Sequence, residues 1–134
     1  MGTPESGLPT QVLDRGVIAI AGSTVLSGLL QIAKPGFVLR FIGAKDSPTN
    51  RHLFGTVGMF MVVVGGALLH ALLLDRGARR LVLGWACLQK FAAAIAVAIG
   101  VARGVFSPIA LLVAGFDFMS GLLIAWRRTR EGPR

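Results

Sequence analysis

Two charged residues of this chain, both of types that do acid–base or ion chemistry, stand inside apolar runs where such groups are costly. Lys90 is the one charge between Leu81 and Val101, and Asp117 is the one charge between Pro108 and Trp126. Near the middle of an apolar run long enough to cross a bilayer, a charge costs roughly 2.5–3.5 kcal/mol on the insertion scale, so it calls for a partner. Lys90 lies nine residues in from Leu81, and Asp117 lies nine residues back from Trp126. If the two runs are neighbouring antiparallel helices, a rise of about 1.5 Å per residue puts both side chains about 13–14 Å deep. An intramembrane ion pair between them is expected. Such a pair could be a structural bridge that fixes helix register, a proton or ion relay, or an anchor for a ligand headgroup.

Other polar groups gather nearby in the pattern. Thr24, Ser27 and Gln31 recur on one face of the first apolar run, and Gln89 adjoins Lys90, so these four could line a polar cavity with the pair. His70, about one turn from the end of the second run, is the remaining candidate for that cavity. His52, at the other end of the same run, has no evident partner, and two such separated histidines offer no haem site. Cys87 is the single cysteine and sits in an apolar run, without CxxC or Cys/His metal spacing. Nothing forms a Ser-His-Asp set, a phosphate loop or a two-carboxylate pair. The residues therefore predict no catalytic group and no metal, and a non-catalytic membrane component.

The elements that must position these groups follow from hydropathy. Of the 134 residues 54% are hydrophobic and only 15% charged, too apolar for an ordinary soluble domain. The net charge of +8 sits at the ends of the apolar runs rather than among aromatics, which fits lipid headgroups and excludes nucleic acid as the expected partner. A span needs about 20 apolar residues. Four are found: Gly16–Ala33, Leu53–Leu74, Leu81–Val101 and Pro108–Trp126. The expected fold is all-α, a single domain built as an antiparallel bundle of four transmembrane helices. Lys34-Pro35-Gly36 ends the first span, Asn50 is a candidate cap for the second, and Ser107 with Pro108 behind it reads as the N-cap of the fourth. The apolar stretch from Phe37 to Ala44 carries Arg40 and is too short to cross, so it reads as an interfacial segment rather than a kinked continuation of the first helix.

Charge bias sets the orientation. Eight arginines, Arg15, Arg76, Arg79, Arg80, Arg127, Arg128, Arg130 and Arg134, fall on the side of the termini, against Lys34, Arg40, Lys45, Arg51 and Arg103 on the other. The bias places both termini in the cytoplasm, with Trp85 and Trp126 near the same face. Small residues mark the packing surfaces: Ala92, Ala96, Gly100 and Gly104 at every fourth position of the third span, and Ala110, Ala114 and Gly121 beside Asp117 on the fourth. They also suit a homo-oligomer or a membrane-protein partner.

The first helix closing at Lys34-Pro35-Gly36, the second opening at Arg51-His52-Leu53-Phe54-Gly55, and Gly58, Gly65 and Gly66 after it give a layout that resembles the DoxX-like group of small four-helix bacterial membrane proteins. That resemblance implies a bacterial inner-membrane location and a quinone-adjacent accessory role, with quinone as the possible cofactor and no catalytic residue to carry over. Three functions follow as expectations: an accessory subunit or homo-oligomer, a quinone- or lipid-binding subunit of a redox complex, or a small proton-coupled transporter working through Asp117.

Overall fold

A computed structural model describes residues 7–132, so Arg134 of the charge count lies outside the described residues. These residues form five helices and no strand: α1 (Gly7–Ala33), α2 (Pro35–Phe41), α3 (Pro48–Leu73), α4 (Arg79–Ala102) and α5 (Ala110–Thr129). Four of them are long and apolar enough to cross a membrane, Thr10–Ala33, Pro48–Leu73, Arg79–Ala102 and Ala110–Thr129. The chain is a small integral membrane protein with one short helix, α2, between the first two spans.

The helix ends differ from the expected ones for local reasons. The first helix starts well before Gly16 and takes in Asp14 and Arg15, because those side chains lie at the bundle's end, where charge need not be excluded from a helix. Ser47, not Asn50, caps α3: its hydroxyl accepts the Asn50 backbone N–H at 3.2 Å, and Pro48 follows in the first turn. The Asn50 side chain instead donates to the Lys45 carbonyl at 2.7 Å. Ser107 does not cap α5, which begins at Ala110 after a tight turn. Its backbone N–H and its hydroxyl both donate to the Ile42 carbonyl, tying the α4–α5 turn to the end of α2. Ser-Pro occurs twice, at 47 and 107, and only the first has a free helix start above it.

The stretch after Lys34 is a separate helix rather than a continuation of α1, since Lys34 leaves helical geometry at φ −138°, ψ 59°. Helix α2 buries Gly36 and Leu39 against the bundle, Ile42 follows them inward, and Phe37 and Phe41 stay exposed. It ends in a Schellman turn. Gly43 takes φ +68°, its N–H bonds to the Arg40 carbonyl, and the Ala44 N–H reaches the Leu39 carbonyl. A Cβ on Gly43 would also strike the Ser107 side chain at 2.5 Å, so the glycine serves both the turn and the junction.

In the bundle α1 lies against α3 and α4 against α5, and the two pairs join through α1–α5 and α3–α4. The backbones of α1 and α3 approach closely. A Cβ on Gly28 would fall 2.5 Å from the Gly58 carbonyl oxygen, and one on Gly58 would fall 2.6 Å from that of Gly28. Gly65 meets Ala21 and Val25 of α1 in the same way, so contacts run in opposite order along the two helices. The largest fully buried side chains, Val17, Leu83 and Ile124, fill the half of the bundle nearer the start of α1, with Ala21, Leu68, Leu72 and Ala86 around them.

Candidate functional site

Helix α4 presents Lys90 on the same face as Leu83, Ala86 and Ala94, all buried, and α5 presents Asp117 on the face of Ala110, Ala114, Gly121 and Ile124. The two charged side chains meet at that seam. Lys90 Nζ donates to Asp117 Oδ1 at 2.7 Å, with the side chains only 4% and 11% exposed. The ammonium also lies 5.5 Å from the centre of the Phe116 ring, a cation–π position. Gly121, one turn on, makes room for the Phe91 ring edge, and its carbonyl accepts from Cys87 Sγ at 3.6 Å.

Two chambers flank the pair. The outer one, about 340 Å³, is lined by Ser23, Thr24, Ser27 and Gln31 of α1, Lys90 of α4, and Phe116 and Asp117 of α5, beneath Phe37, Val38 and Phe41 of α2. Ser27, Leu30, Phe37 and Phe116 of this wall are themselves exposed, so the chamber opens sideways along the α1–α5 seam. The inner one, about 180 Å³, lies between all the helices and is lined by Gln31, Gln89, Met61, Ala93, Val97 and Asp117 among others. Gln31, Val38, Ile42, Met61, Val113 and Asp117 belong to both walls. Gln31 Nε2 reaches Met61 Sδ at 3.2 Å, while Gln31 Oε1 and Gln89 Oε1 are buried without a hydrogen-bond partner.

The predicted cavity residues therefore separate. Thr24, Ser27 and Gln31 line the outer chamber with the ion pair, and Gln89 lines the inner one with Gln31. Thr24 lies there buried, its hydroxyl donating back to the Ile20 carbonyl at 2.9 Å in its own helix. His70 belongs to neither wall; it sits near the far end of α3, in the packed half. On α4 the expected packing residues divide. Ala92 and Ala96 are exposed, because two residues along a helix is about 200° around it and Ala92 points away from Lys90. Gly100 does pack, its missing Cβ leaving space for the Phe106 ring, and Gly104 is a turn residue at φ +70° beyond the helix. Trp85 and Trp126 face outward.

A third buried charge has no signal in the hydropathy pattern. Arg127 is 3% exposed, donates to Asp14 at 2.5 Å and contacts Glu131 at 2.7 Å. Glu131 also lies 3.7 Å from Arg79, whose guanidinium caps the last carbonyls of α3 at Ala71 and Leu72. The i, i+4 spacing of Arg127 and Glu131 was visible in the sequence, but nothing local linked either residue to Asp14 at the opposite end of the chain.

The site thus offers a donor, several acceptors and an apolar surround reached from the side. Comparison with protein-family models, with curated proteins and with solved structures found nothing that matches this chain.

Proposed function

We propose that this protein is a non-catalytic membrane component whose outer chamber receives the polar headgroup of an amphipathic molecule from the bilayer, a prenyl quinone or a similarly shaped lipid. The observation that carries this reading is the sideways opening between α1 and α5 with the Lys90–Asp117 pair at its inner wall. A volume of about 340 Å³ lies at the lower end of the range for small-molecule sites, about 300–1,000 Å³. The lining matches a headgroup with carbonyl or hydroxyl oxygens: the Lys90 ammonium and Ser27 hydroxyl donate, Asp117 and Gln31 accept, and Phe37, Phe41 and Phe116 give aromatic and apolar contact for a ring and the start of a tail. The resemblance to the DoxX-like group points the same way. Within this reading the chain serves as an accessory subunit or a homo-oligomer of the bacterial inner membrane, with both termini in the cytoplasm as the arginine bias suggests.

The test is binding of a photoreactive prenyl quinone to the reconstituted protein, with phospholipid alone as competitor. Labelling should map to α1 and α5 around Ser27 and Phe116. Replacing Val113, which lines both chambers, by Trp should weaken binding at least tenfold, whereas Leu122→Trp on the exposed face of α5 should not. Labelling that spreads evenly over the lipid-facing surface, unaffected by Val113→Trp, would refute the site.

A further inference from the structure

The inner chamber shares Gln31 and Asp117 with the outer one and adds Gln89, which lines it alone. Gln31 Oε1 and Gln89 Oε1 are both buried and unpartnered, and both residues line this chamber together with Asp117. A buried carbonyl oxygen without a donor costs about 1–3 kcal/mol, so two such atoms on residues of one wall call for something that donates. Water fits. At about 30 Å³ per molecule, a space of about 180 Å³ has room for several, and the two amides and the carboxylate supply the polar partners that ordered water needs.

The chamber also leads somewhere. At its end away from the packed core it is closed by Phe54 and Phe106, and these same two residues line a wide cleft of about 690 Å³ at the α2 end of the bundle. That cleft is bordered by Lys45 and Asn50 of the polar loop before α3 and by Gly104 and Val105 of the α4–α5 turn. Two ring side chains thus border both the chamber and the cleft. The Phe106 ring lies over Gly100, where a Cβ would come within 2.5 Å of it, so its position depends on the bare backbone beneath. In the other direction the bundle is filled: Val17, Leu83 and Ile124 are 0% exposed.

We propose that the inner chamber is a water-filled passage joining the Lys90–Asp117 pair to the aqueous phase at the α2 end, gated by Phe54 and Phe106 and stopped at the other end by the packed core. The pair is then in contact with one aqueous compartment and not with the other, the arrangement a site needs to take or release protons from one side. The inference rests on the inner chamber alone and stands whether or not a lipid enters the outer one.

Accessibility of introduced thiols tests it in plain phosphatidylcholine vesicles containing no quinone. With Cys87 changed to Ala, single cysteines are placed at Ala93→Cys and Val97→Cys in the chamber wall, at Ala86→Cys in the packed half, and at Leu112→Cys on the exposed outer face. A small membrane-impermeant cationic methanethiosulfonate should modify the two chamber positions at least tenfold faster than both controls, and only when it is added on the side that also modifies Lys45→Cys. Adding Phe106→Ala should speed the reaction further. Equal rates at chamber and control positions, or equal reaction from both sides, would overturn the proposal. A second measurement needs no substitution: water-edited solid-state NMR of the native chain should show fast magnetisation transfer from water to the Gln31 and Gln89 side-chain amides. Transfer as slow as at Ala86 would overturn it equally.

Discussion

Each half of this bundle buries a charged side chain, and the two are treated differently. In the half nearer the start of α1, Arg127 is held between Asp14 and Glu131, next to a core in which Val17, Leu83 and Ile124 are wholly enclosed. In the other half, Lys90 has one carboxylate, and the surrounding helices stand apart around two chambers whose walls carry unpartnered carbonyls. Burying a charge is thus not by itself a mark of function. A charge whose neighbours are satisfied and close-packed ties elements together, as Arg127 ties α1 to α5. One left facing space beside other polar groups is where a ligand, water or a proton has something to bind.

The largest effect should come from breaking the pair. Lys90→Met or Asp117→Leu alone leaves one buried charge unmatched and is expected to lower stability by about 3–5 kcal/mol, read from unfolding in mixed micelles. Replacing both together should return most of that loss while headgroup binding stays abolished. If the double variant is as unstable as the singles, the pair is needed for folding in a way that apolar packing cannot supply, and the contrast between the halves fails.

Packing sharpens the contrast next. Ile124→Ala, in the filled half, should cost about 2–4 kcal/mol through the cavity it leaves. Val113→Ala, where the wall already borders open space, should cost less than about 1 kcal/mol by the same measurement, since few contacts are lost. Equal costs would mean that the chambers close up in the membrane. Gly58→Ala should fall between, at about 1–3 kcal/mol, because its Cβ meets a backbone oxygen of α1 that cannot move aside cheaply.

The smallest effect is at the loop of the open half. Asp46 accepts from Arg51 and Arg40, and the Arg51 hydrogen bond above all holds its carboxyl below the ordinary value of 3.8. A carboxyl lowered in the folded state contributes stability above its unfolded value and loses it as pH falls through the lower, folded one. Amide exchange over residues 44–51 should therefore stay constant from neutral pH to about 4, once corrected for intrinsic rates, and rise only below that. Gly36 sits against this clasp, with a Cβ there falling 3.0 Å from Arg51 Nε, so Gly36→Val should loosen the loop already at neutral pH.

The four long helices could be read from the sequence because hydropathy acts residue by residue, and an apolar run of that length has few other stable forms. The meeting of Lys90 and Asp117 could be read for the same reason, as it needs only a count from the end of each run. What lay beyond the sequence were facts of azimuth and distance. Which side of α4 faces inward depends on its neighbours, so evenly spaced alanines at 92 and 96 looked like a packing seam and are an outer face. Asp14 and Arg127 are separated by most of the chain, and no local pattern could pair them. The α1–α3 contact left a trace in the spacing of Ala21 with Gly28 and of Gly58 with Gly65, seven residues apart on each helix, though spacing alone does not say which two helices touch. The amino-acid sequence by itself determined that this chain has four helices able to cross a membrane and how far from the ends of their apolar runs Lys90 and Asp117 lie. Only the tertiary structure decided which half is filled and which is open, because empty space belongs to no single residue and exists only once all the helices are in place.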